Sequence, residues 1–67
     1  MSIAARLKQA RDTADLSVFE LSVRAHVPEM TIRRYENGER HRYDFETIAK
    51  LARALEINVE ELTEGVA

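Results

Sequence analysis

Residues 16–38 read LSVFELSVRAHVPEMTIRRYENG, and two helices with a short joint can be traced in them. Ser17 and Glu20 stand at the N-cap and N3 spacing of a capping box, where hydroxyl and carboxylate each satisfy a backbone N–H that the helix leaves open. Leu16 and Leu21 stand at the N′ and N4 spacing of a hydrophobic staple. A helix over 18–25 is predicted. His26-Val27-Pro28 then breaks the pattern, because proline disfavours an α conformation before it yet suits the first turn of a new helix. His26 is expected to end the helix in the left-handed region, where histidine is enriched. A third helix over 28–36 turns Ile32 and Tyr35 inward and stops at Asn37-Gly38, where glycine admits the left-handed cap. A joint of about three residues is the length of a helix-turn-helix connection.

The flanking sequence continues in the same period. Ser2 caps a first helix over 3–14 whose inner stripe is Ile3, Leu7, Ala10 and Ala14. Asp44 caps a fourth over 45–55, with Phe45, Ile48, Leu51, Ala52 and Leu55 facing inward. Asn58 and Glu61 form another cap-and-N3 pair, with Ile57 and Leu62 at staple spacing, so a short fifth helix is expected over 59–64. There is one proline, there are two glycines, and no segment alternates like a strand. The expectation is an all-α chain, five helices around one small core, forming a single domain over 1–67. A chain this short buries only about 60% of its unfolded surface, so modest stability is expected.

Composition narrows the function classes. With no cysteine and two histidines, neither a disulfide nor a metal site is expected, and no cofactor motif is visible. No apolar run approaches the roughly 20 residues of a membrane span. MSIAARLKQARD at the N-terminus lacks a signal peptide's apolar region, so a soluble, cytoplasmic, nucleoid-associated protein is expected. The net charge is −2, but it is polarised: residues 1–42 hold eight Lys/Arg against six Asp/Glu, and residues 43–67 two against six. Four arginines and a histidine fall within TIRRYENGERHR, residues 31–42.

If Ile32 and Tyr35 point inward, helical spacing puts Glu29, Met30, Thr31, Arg33 and Arg34 on the outer face of the third helix. Arginine's planar fork matches O6 and N7 of guanine in the major groove, glutamate accepts from cytosine N4, and an apolar tip meets a thymine methyl. Arg40, His41, Arg42 and Tyr43 follow the Asn-Gly, ahead of another helix start. Arginines and helix-terminal amides suit phosphate oxygens. Plainer readings stand beside these: an ordinary Glu29–Arg33 ion pair, and a loop kept soluble by Arg40 and Arg42.

These residues resemble the helix-turn-helix domains of phage repressor and Cro-like transcriptional regulators, the XRE family, over Ile3 to Leu62. The matching motifs are RLKQAR, LSVFELS, TIRRYENG and FETIAKLARALEINVEEL. The resemblance implies a lambda-repressor-like five-helix fold with the third helix as the recognition helix in the major groove. It implies phosphate contacts from the start of the second helix, here Ser17, and from the loop after Glu36-Asn37-Gly38. It also implies a structural ion pair between Arg11 and Glu36. Three positions depart from the family pattern: Val18 replaces a phosphate-touching glutamine, His26 a turn glycine, and Pro28 a Ser or Thr cap.

The expected function is sequence-specific recognition of double-stranded DNA by a repressor-like transcriptional regulator. One copy offers few contacts, so a homodimer on a near-palindromic operator is expected, with half-sites about 34 Å apart or a multiple of that. Ile57, Val59, Leu62 and Val66 are the candidate dimer contacts, since they exceed what one short helix can bury. Regulation would act by occluding or touching RNA polymerase. Two alternatives remain: an antitoxin-like or adaptor module that binds a polypeptide, and a DNA-binding module of a longer regulator. Enzymatic activity is not expected, because the chain has no glycine-rich phosphate loop and no group to orient the Ser22–His26 pair.

Overall fold

The computed structural model describes residues 2–38 and 43–63, and within them the chain forms five helices and no strand: α1 (Ile3–Thr13), α2 (Val18–Ala25), α3 (Glu29–Asn37), α4 (Phe45–Ala54) and α5 (Glu60–Thr63). Each boundary lies within a residue of the expected one, and the expected last residue, Glu64, is outside the described residues. Pro28 is the cap of α3 and not its first helical residue, and it offers no side-chain hydrogen bond there. The core is Ile3, Leu7, Leu16, Leu21, Ala25, Val27, Ile32, Tyr35, Ile48, Leu51, Ala52, Leu55 and Leu62. α1 packs on α3 and α5, and α2 on α3 and α4.

The capping box of α2 forms in full. Glu20 N–H donates to the Ser17 hydroxyl at 3.0 Å, and Ser17 N–H donates to the Glu20 carboxylate at 2.9 Å. The Ser17 backbone N–H, then its hydroxyl, hold the Glu20 carboxyl below its ordinary pKa, with a smaller pull from Arg24. A carboxyl lowered on folding stabilises the fold above its unfolded pKa, and that contribution is lost as pH falls through the folded value. Glu20→Gln is therefore expected to melt below the parent chain at neutral pH. In thermal melts followed by circular dichroism, the gap closes as the solution is acidified past the carboxylate range.

Three helices end alike. Asp15, His26 and Glu56 adopt positive φ (59°, 57° and 57°), each directly before an apolar residue. The next amide reaches back to close the turn: Leu16 N–H to Arg11 O at 3.1 Å, Val27 N–H to Ser22 O at 3.3 Å, and Ile57 N–H to Ala52 O at 3.0 Å. This is the Schellman arrangement, and it delivers Leu16, Val27 and Ile57 to the core. The expected left-handed His26 is found, at φ 57° and ψ 43°. The chain uses aspartate, histidine and glutamate where glycine would be free of strain, and glutamate is the least suited of them. Glu56→Gly is expected to raise stability by about 1 kcal/mol in urea unfolding, since the left-handed conformation costs roughly that much with a Cβ present.

Three expectations about which apolar residues face the core are corrected. Phe45 does not face inward: it is 71% exposed. It lies in the first turn of α4, where the Tyr35 and Tyr43 rings, 4.8 Å apart and edge to face, close that end of the core. Ala14 is exposed because α1 ends at Thr13, and Leu16 enters the core beyond the turn. Leu62 has no exposed surface, so it is a core residue of its own chain and has none to offer a second copy. Ile57 and Val59 are half-buried against the same core, and Val66 lies outside the described residues.

Candidate nucleic-acid interface

α2 and α3 are joined by His26-Val27-Pro28, and Val27 is buried at the joint. α3 turns Ile32 and Tyr35 inward, at 0% and 1% exposure, so its opposite face is open. Met30, Arg33 and Arg34 are exposed on that face, whereas Glu29 and Thr31 are half-buried at its edges. Arg33 and Arg34 have no ion-pair partner among the described residues, so Glu29 does not occupy Arg33.

Two polar ties hold α3 in position. Arg11 of α1 grips Glu36 with two parallel bonds, Nε to Oε2 at 2.7 Å and Nη2 to Oε1 at 3.0 Å. The same guanidinium donates Nη1 to the Leu16 carbonyl at 2.8 Å, so one side chain joins α1, the loop before α2 and the end of α3. Arg11 holds its proton more firmly than usual, chiefly because Glu36 accepts from it. At the other tie the Asp44 N–H donates to the Tyr35 hydroxyl at 3.2 Å and sets the start of α4 against α3. Gly38 closes α3 at φ 72°, its N–H reaching the Arg34 and Tyr35 carbonyls. Nothing lies within 4 Å of where a Cβ would stand, so backbone conformation alone favours glycine there.

The expected phosphate-side residues fare differently. Ser17 is exposed, but its backbone N–H and a hydroxyl lone pair are engaged in the capping box, leaving the hydroxyl proton to donate. Val18 lies against the core. Tyr43 is half-buried on the Tyr35 ring, a packing role that local spacing does not reveal because the pair meets only through the fold. Arg40, His41 and Arg42 lie outside the described residues. Asp44 accepts from the Thr47 hydroxyl at 3.1 Å and not from the α4 backbone, so the first N–H groups of α4 have no side-chain cap.

Among the described residues no group of three His, Cys, Asp or Glu side chains could hold a metal ion, and no helix is long and apolar enough to cross a membrane. A comparison with curated proteins finds no match. A family model described as a helix-turn-helix domain matches residues 2–64, which takes in all five helices and points to DNA binding and transcription regulation. With that match over nearly the whole chain, and with α2, its three-residue joint and α3 arranged as described, the chain belongs to the helix-turn-helix domain family of the XRE/Cro-like kind.

Proposed function

We propose that this protein reads a specific double-stranded DNA sequence as a repressor-like regulator, with α3 lying in the major groove. The supporting observation is the division of α3 into a fully buried face, Ile32 and Tyr35, and an open face carrying Met30, Arg33 and Arg34. Two bidentate-capable cations on a helix braced at its C-terminal end are suited to guanine edges, and Met30 to a thymine methyl. Glu29 and Thr31 contribute from the edges of that face. Ser17, Arg40, His41, Arg42 and Tyr43 are assigned to the phosphates on either side.

A homodimer on a near-palindromic site follows from the small contact surface of one copy. Since Leu62 is spent in the core, only the rims of Ile57 and Val59, with Val66, remain of the expected contacts. Repression would come from occluding RNA polymerase. Selection from a random duplex library tests the whole reading, because an enriched motif with dyad symmetry is expected. Arg34→Ala should then lose about 1–3 kcal/mol of preference for that motif over scrambled DNA. Equal losses on both duplexes in a fluorescence-anisotropy titration would remove Arg34 from base reading.

A second reading has its own support. Phe19, Val23, Met30 and Phe45 are each more than half exposed, a large apolar surface for so small a chain. A module of this fold that binds a polypeptide would use such side chains. No binding to random duplexes at about 10⁻⁴ M protein and low salt would favour it, because non-specific binding is expected by then.

A further inference from the structure

We propose that the cleft between the C-terminal turns of α2 and α4 binds a small polyanion carrying closely spaced phosphoryl groups. The cleft has a volume of about 420 Å³ and is lined by Arg24, Ala25, His26, Lys50, Arg53 and Ala54. Three of the six carry a fixed positive charge, a fourth is a histidine, and none is acidic, in a chain with more acids than bases. All four basic side chains are exposed at the mouth. Among the described residues only Lys50 has an ion-pair partner, Glu46 at 3.7 Å, and both groups are solvated enough for that pair to yield.

Helix carbonyl charge explains part of this. Arg24 and Arg53 lie in the last turns of α2 and α4, where cations complement the helix end. It does not explain why both converge with Lys50 and His26 on one concavity. Like charges within the roughly 8 Å screening length of physiological salt repel, and a cleft concentrates their field. An anion relieves that repulsion. Two arginine forks and one ammonium offer more donors than a single carboxylate can accept, but they match the oxygens of linked phosphoryl groups. The floor is two methyl groups, Ala25 and Ala54, which leaves space and gives an apolar ligand body little to grip.

The site is independent of the DNA reading, and none of the residues assigned to DNA lines it. Ser17 and Asp44 begin α2 and α4, whereas the cleft lies at the other ends, helix lengths of about 12 and 15 Å away. Phosphoryl groups reach a protein either as a free oligophosphate or in a nucleic-acid backbone, and the proposal is the free form.

The test is a titration of the full chain with inorganic tripolyphosphate, followed by ¹H–¹⁵N NMR. Saturable shifts are expected at Arg24, His26, Lys50 and Arg53, at lower concentration than with orthophosphate. Lys50→Gln and Arg53→Gln should each weaken binding about fivefold, the worth of one unit-charge contact at water-like screening. Arg24→Gln, on a different helix, should do the same, so misfolding of one variant does not leave the question open. Arg33→Ala should change nothing. Shifts centred on residues 29–34, shifts that do not saturate, or losses confined to duplex DNA binding when Lys50 and Arg53 are neutralised would overturn the proposal.

Discussion

Arg11→Ala is expected to destabilise the domain by about 3 kcal/mol, the scale for removing one partner of a buried, doubly hydrogen-bonded ion pair. The Arg11 and Glu36 side chains are 13% and 8% exposed, so both charges are largely withdrawn from water in the folded chain. The Leu16 carbonyl loses its donor in the same change. A chain of this size has a total stability of only roughly 3–10 kcal/mol, so much of the population would unfold on modest warming. Urea unfolding gives the number. Arg11→Lys should recover only part of it, because an ammonium cannot make the parallel pair and reach Leu16 as well. Replacing both partners with apolar residues, Arg11→Met with Glu36→Leu, should cost less than either single change, since no buried charge is then orphaned. If Arg11→Ala cost less than about 1 kcal/mol, the pair would behave as a surface ion pair and would not be what holds α3.

DNA affinity is expected to fall about 10²-fold between 50 and 200 mM salt, the second large effect. In the proposed dimer, Arg40 and Arg42 from each copy would supply four cations for phosphates. Each phosphate neutralised contributes about −0.9 to the log–log slope, giving a slope near −3.6 and a fall of that order. Arg42→Ala should weaken binding to all sequences alike and reduce the slope by about one for each phosphate that no longer meets a cation. Arg34→Ala is expected to act on preference instead. The two variants thus separate the clamp from the reader in one set of anisotropy titrations. A slope indistinguishable from zero would be incompatible with any phosphate clamp.

The two effects are linked through α3. In the proposed reading, Arg33 and Arg34 would leave a helix whose orientation is already set by the Arg11–Glu36 and Tyr35–Asp44 ties near its C-terminal end. An Arg11 variant that still folds at low temperature should therefore lose preference for its operator even though Arg11 itself faces inward.

How much of this was legible in the sequence follows from the range of the interactions involved. The capped helix starts at Ser2 and Ser17, the left-handed turn at His26 and the stop at Gly38 were readable, because caps and turns depend on a few neighbouring residues; α4 starts after Asp44 as expected but without the expected side-chain cap. The division of α3 into inner and outer faces was readable for the same reason, since it needs only the helical period. Arg11 and Glu36 could be paired in advance only by resemblance to a family, as nothing local connects residues 25 positions apart.

What only the tertiary structure decided is which apolar surface finds something to pack against. Phe45 and Leu62 both carry helical apolar spacing, yet Phe45 is left in solvent and Leu62 is enclosed by the core. Period gives a direction and not a partner. The Tyr35–Tyr43 contact and the convergence of Arg24 and His26 with Lys50 and Arg53 depend likewise on how α2, α3 and α4 cross. Burial and electrostatic fields are sums over everything nearby in space, and a linear order of residues does not contain those sums until the chain has folded.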